Sequence, residues 1–138
     1  MEATVRKLNP KAKSKNKGNS IFSSMEEVIG LIDNSPLNVM YCDRDLTLKF
    51  INKKSLSTFK KLEHLLPVKV EQMLGSNISI FHKNPAMQER LLASDKNLPH
   101  QAVIQLGPEK LDLNMVAIYD ADNSYIGAMV TWEIVTQR

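Results

Sequence analysis

The sequence predicts a single α+β domain, an antiparallel sheet of five strands with short helices gathered on one face. Three observations predict it. From His100 onward, apolar and polar residues alternate through three runs separated by turn residues, the pattern of a three-stranded meander. Two shorter runs on either side of Asp43-Arg44-Asp45 form a further hairpin. Between these strand blocks lie only short stretches of helical spacing.

At 138 residues the chain is long enough for one domain with its own core. Its net charge of +3 is unevenly placed. Residues 1–20 hold six basic residues and one acidic, whereas the remainder holds 12 basic and 14 acidic. Residues 1–20 therefore read as a disordered basic arm, and residues 21–138 as the folded domain with an N-terminal cap helix. A near-neutral body argues against nucleic-acid binding by the fold itself. No apolar run is long enough to span a membrane, and the first residues lack the apolar core of a secretory signal. Cys42 is the sole cysteine, so no internal disulfide exists. These features together predict a cytoplasmic protein.

The elements follow in order. Ser24 with Glu27 fits a capping box, and Met25, Val28, Ile29 and Ile32 share one helical face. Pro36 ends that helix near Asp33-Asn34-Ser35. Residues 37–42 are a strand, and Leu46, Leu48 and Phe50 alternate along the next. Asn52 is placed to cap a helix over 53–62, with Leu56 and Phe59 inward and lysines toward water. Residues 68–74 suggest another short helix, closed by Gly75. Residues 77–82 suggest a single helical turn. Asn84 and Pro85 then supply an N-cap and a first helical residue, for a helix to about Ser94 with Met87, Leu91 and Leu92 inward. In the meander, Ala102, Ile104 and Leu106 share a face. So do Leu111, Leu113, Met115, Ala117 and Tyr119, and so do Ile126, Ala128, Val130, Trp132 and Ile134. The turns are Gly107-Pro108-Glu109-Lys110 and 120–124.

Specific residues within this order resemble PAS domains over roughly residues 25–136. Asn34-Ser35-Pro36 leads into a strand. Asp43-Arg44-Asp45 is followed by Leu48-Lys49-Phe50-Ile51-Asn52, a hairpin with a closing Asn. Tyr125-Ile126-Gly127 through Trp132-Glu133 resembles the last strand. The stretch Gly75-Ser76-Asn77-Ile78-Ser79-Ile80-Phe81-His82-Lys83-Asn84-Pro85 is similar to a motif in sensor PAS domains of bacterial chemoreceptors. The resemblance implies a bacterial signal-transduction module active in chemotaxis or a related pathway. Some members of that group bind b-type haem through a histidine on a short helix, and a tryptophan on the last strand hydrogen-bonds bound gas. His82 and Trp132 stand at the matching positions.

The resemblance therefore implies a haem-binding sensor of oxygen or another diatomic gas. His82 is the axial metal ligand, Trp132 the distal donor, and Leu113, Met115, Ala117 and Val130 form the pocket wall. The chemistry suits these roles. A buried imidazole stays neutral and able to bind metal, and an indole N–H can only donate. On the residues alone, His82 also reads as an ordinary structural histidine and Trp132 as ordinary core. The alternative is a haem-free PAS domain acting as a dimerisation or protein-interaction module, through the helix beginning at Met25. Either version implies a homodimer and a downstream signalling domain or partner protein.

Other clusters carry less. His64, His82, His100 and Cys42 show no zinc spacing, and no nucleophile–base pattern argues for an enzyme. Many PAS domains end in Asp-x-Thr, which anchors the following signalling helix. The corresponding residues here are Ile134-Val135-Thr136, so Thr136 matches that signature and the Asp is replaced by Ile134. The end of the sequence at Arg138 suggests either an excised module or a stand-alone protein that signals through a partner.

Overall fold

The computed structural model describes residues 20–136. The expected basic arm therefore lies outside the described residues, except for Ser20. The elements are α1 (Met25–Asp33), β1 (Asn38–Asp43), β2 (Leu48–Ile51), α2 (Lys53–Leu62), α3 (Pro85–Leu92), β3 (His100–Leu106), β4 (Glu109–Tyr119) and β5 (Tyr125–Ile134). Short 3₁₀ turns fill the stretch between α2 and α3 and the approach to β3. The five strands form one antiparallel sheet in the order β2-β1-β5-β4-β3. The expected α+β class and its five antiparallel strands are thus observed.

Several local expectations hold for the reasons given. Ser24 caps α1 by accepting the Glu27 N–H at 3.1 Å. The Glu27 carboxylate reaches the N–H and hydroxyl of Ser23 at 3.0 Å, one residue before the expected partner of a capping box. Asn52 caps α2 by accepting the Ser55 N–H at 3.0 Å. Gly75 and Gly107 adopt positive φ, +89° and +59°, at the two turns that need it.

Others are corrected. The second strand begins at Leu48, because Leu46 takes a left-handed conformation with φ 67° and cannot extend a ladder. α2 turns Ser55, Phe59 and Leu62 inward, and Leu56 is partly exposed. Residues 68–74 form only a 3₁₀ turn, Val70–Gln72, between Pro67 and Gly75. Asn84 sits at the N-cap of α3 but makes no side-chain cap bond. Met87 is half exposed, and Leu92 is the one buried residue of that helix. Ile126, Ile134 and Tyr119 lie at strand ends and are exposed there.

Two arrangements position the region beneath the sheet. The outer edge of β2 is covered by residues 75–78. Leu48 N–H donates to Ser76 O at 2.8 Å, Gly75 N–H to Leu48 O at 2.7 Å, and Ile78 N–H to Leu46 O at 2.8 Å. This lashing fixes where the next turn, Ile78–Phe81, and His82 must lie. At the far end of α3, Arg44 donates to Ala93 O at 3.0 Å and its guanidinium stands 4.9 Å from the Tyr125 ring centre. Tyr125 in turn donates to Leu92 O at 2.8 Å. The core runs between the sheet and these helices through Leu48, Phe59, Met73, Leu92, Met115, Val130 and Trp132.

Candidate ligand-binding site

A cavity of about 380 Å³ lies between the sheet and the segment from 66 to 91. Sheet residues supply one wall: Met40 and Cys42 from β1, Leu48 from β2, and residues of β3, β4 and β5. Phe59 of α2, Met73, Ile78, Phe81, His82 and Leu91 supply the other. Nearly every lining side chain is aliphatic, aromatic or sulfur-bearing, and among the described residues no carboxylate, lysine or arginine lines the cavity. Such a lining suits an apolar ligand held by few polar groups, since a charged group would be desolvated there without compensation.

Of the residues expected around a pocket, His82, Trp132, Leu113, Met115 and Val130 line this cavity. Ala117 does not, and this is a correction. It pairs with Ala128 farther along β4, near the register shift between Ile118 and Tyr119, away from the cavity. Sequence reasoning missed His100, Ser55 and Phe59. His100 faces the cavity from the first position of β3, paired with Met115. The alternation that placed Ala102, Ile104 and Leu106 on one face also places His100 there, and that signal was present in the sequence. His64 is exposed and apart from the site.

His82 follows the 3₁₀ turn Ile78–Phe81 in extended conformation, its backbone N–H bonded to Ser79 O at 3.1 Å. Asn77 starts the turn by accepting the Ser79 N–H at 2.9 Å. Burial lowers the His82 pKa below the ordinary imidazole value. The neutral ring is favoured, with a lone pair free to coordinate. Among the described residues no hydrogen-bond partner holds its imidazole. Cys42, 1 % exposed, has its thiol pushed up to about 11 by burial, so it behaves as a small apolar wall residue and not as a nucleophile.

Trp132 is 4 % exposed. Its ring stacks on Phe59 with centroids 4.3 Å apart. Its indole N–H, the expected distal donor, has a resident partner: it donates to Ser55 Oγ at 2.8 Å. A haem group fits the donor set in two respects, a desolvated neutral imidazole at the rim and an apolar wall. In a third respect it would require Trp132 to release Ser55 before serving a bound gas. No group of three or more His, Cys, Asp or Glu among the described residues is placed to hold a metal ion, so a coordinated metal would have to bring its own ligands, as a porphyrin does.

The fold recurs in solved structures. The Aer2 receptor from Vibrio cholerae, described as a dual PAS-heme oxygen sensor, superposes with a TM-score of 0.66. It is 29% identical, over 72% of this chain and 94% of that one. The chain folds as a PAS domain. The PAS domain of Bordetella pertussis BvgS shares the fold at a TM-score of 0.58 and 18% identity, over 83% of this chain and 88% of that one. A Colwellia psychrerythraea PAS domain does so at 0.56 and 17%, over 83% and 98%. In sequence, this chain is 32% identical over 112 residues to methyl-accepting chemotaxis protein McpB of Pseudomonas aeruginosa. The match takes in 78% of this chain and spans 16% of the length of that relative. No protein-family model matches the chain. The chain thus resembles the sensor PAS domains of bacterial chemoreceptors. No helix among the described residues is long and apolar enough to cross a membrane.

Proposed function

We propose that this PAS domain is the input module of a bacterial signalling pathway of the chemoreceptor kind, and that it binds b-type haem and senses oxygen or another diatomic gas. The observation that carries this is His82: a desolvated imidazole with no hydrogen-bond partner among the described residues, at the rim of an apolar cavity that Trp132 also lines. Support comes from the 29% identity to a chain described as a PAS-heme oxygen sensor. When bound, the haem would supply the gas-binding metal. The chain's own residues do the rest. His82 offers a nitrogen lone pair and fixes one face. Leu113, Met115 and Val130 exclude water. Trp132 carries the N–H donor suited to a ligand that accumulates negative charge. Output passes to a downstream domain or partner protein.

Trp132 is the only tryptophan in the chain, so its fluorescence reports on the cavity without interference. Titration with haemin should quench that fluorescence saturably at one equivalent, and His82→Ala should weaken the quenching at least tenfold. Quenching that never saturates, or that His82→Ala leaves unchanged, would sink the haem assignment.

A second function is favoured by a specific feature of α1. It buries no residue, and Met25 and Leu31 are each about two-thirds exposed, with Ile29 nearly half. A haem-free domain dimerising through this helix would cover that face. Light scattering of haem-free protein should then show a dimer that Leu31→Glu converts to monomer; a monomeric wild type rules this function out.

A further inference from the structure

The hydrogen bond from Trp132 does not end at Ser55. The Ser55 N–H donates at 3.0 Å to Asn52 Oδ1, which also accepts the Val39 N–H at 3.0 Å. The Asn52 amide then donates to the carbonyls of Ile32 at 3.1 Å and Leu37 at 2.9 Å. Ile32 lies in the last turn of α1. A bonded chain of three residues therefore runs from the cavity wall to the root of the N-terminal helix. Ser55 and Asn52 are both 0 % exposed, so water cannot substitute for either bond.

The two ends of this chain differ in how firmly they are held. Trp132 is clamped to α2 in two further ways: its ring stacks on Phe59, and its carbonyl accepts from Asn38, whose own side chain accepts from Thr58 at 2.9 Å. Loss of the indole bond alone would leave α2 in place and relax only its first turn. α1, by contrast, buries nothing. Among the described residues, its side-chain-mediated bonds to the body come from Asn52 and Lys53, the latter donating its N–H to Asp33 Oδ1 at 3.0 Å. At the other terminus of the domain, Ile134 has no polar group to offer a relay. Thr136 is fastened locally, accepting from Lys110 N–H at 2.9 Å and donating to Glu109 at 2.6 Å.

We propose that Ser55 is a positioning residue that couples the cavity to the docking of α1, through Trp132 on one side and Asn52 on the other. A cavity occupant that draws the indole N–H away from Ser55 loosens the Asn52 knot and frees the helix. The coupling takes the cavity as the input site, as proposed above, but it is a property of the protein bonds and is testable in their absence of ligand.

The test is amide hydrogen exchange on the full haem-free chain, in the wild type, Trp132→Phe, Ser55→Ala and the double variant. Phenylalanine keeps an aromatic ring against Phe59 and removes the donor with some ring volume, and Ser55→Ala, which cuts the same bond with the indole intact, controls for that lost volume. Each single variant should speed exchange at Val39 and Asn34 roughly fivefold, the factor one hydrogen bond is worth. Ile104, in the β3–β4 hairpin, should exchange at its wild-type rate. The double variant should exceed neither single, because both cut the same chain. Wild-type rates at Val39 and Asn34 in both single variants, additive effects in the double, or equal acceleration at Ile104 would each overturn the coupling. Haemin uptake is read separately by absorbance, so a failure of the haem assignment and a failure of the coupling are distinguishable.

Discussion

Replacing Asn52 with alanine removes four hydrogen bonds at one fully buried point. Two of them serve backbone N–H groups, those of Val39 and Ser55, that alanine leaves without an acceptor. A stranded buried donor costs about 1–3 kcal/mol. The Ile32 and Leu37 carbonyls are only part-buried, so water satisfies them in part. The backbone bonds of Asn52, its N–H to Val39 O and its carbonyl to Leu56, survive the change. Taking the lower half of the range for the two donors gives a loss of about 3 kcal/mol, against a total stability of about 5–15 kcal/mol for a domain of this kind. The variant should fold, with a melting temperature lower by roughly 10 °C. Urea denaturation followed by circular dichroism measures it: the midpoint should fall and the slope should stay constant. A loss below about 1 kcal/mol would refute the assignment of Asn52 as the joint between α1, β1 and α2.

Two further predictions follow from local geometry. A Cβ added at Gly127 would collide with the Cys42 carbonyl and stand 2.7 Å from the Tyr41 hydroxyl, so Gly127→Ala should force β1 and β5 apart and cost about 1–3 kcal/mol in denaturation, whereas Gly30→Ala, in open space, should cost nothing measurable. Burial holds the His82 pKa in the folded state below the 6.5 of an unperturbed imidazole, so the unfolded chain binds the extra proton first. Stability should therefore be constant above pH 6.5 and decline as pH falls from 6.5 through the folded-state pKa, and the decline between pH 7.5 and 5.5 should be shallower in His82→Gln, as read from melting temperatures.

The fold was legible where turn chemistry and alternation agree. Gly107 at the β3–β4 turn and Asp120 at the β4–β5 turn, whose carboxylate accepts the Asp122 and Ser124 N–H groups at 2.9 Å, divide three runs of period two. Asn52 was legible as a cap, but its bonds to Ile32 and Leu37 link residues 20 and 15 positions away, and no local pattern marks such partners. Ser55 was invisible for another reason. Apolar periodicity assigns a serine to the solvent face, and this one is inside because Trp132 needs an acceptor. The same rule misplaced Leu56, which lies one residue round the helix and partly in water. Leu46 broke the second strand through a left-handed backbone that a leucine does not advertise. At the site, His82 and Trp132 came from a family motif, and the cavity that both line required the three-dimensional packing of the 66–91 segment under the sheet.

Whether His82 holds haem in this cavity is read from an absorbance spectrum after reconstitution with haemin. Haem ligation by His82 predicts a Soret band from stoichiometric haem in the wild type that shifts on reduction and again on exposure to carbon monoxide, and its loss in His82→Ala. A wild type that shows only the spectrum of free haemin, or a His82→Ala protein with the wild-type band, would contradict it.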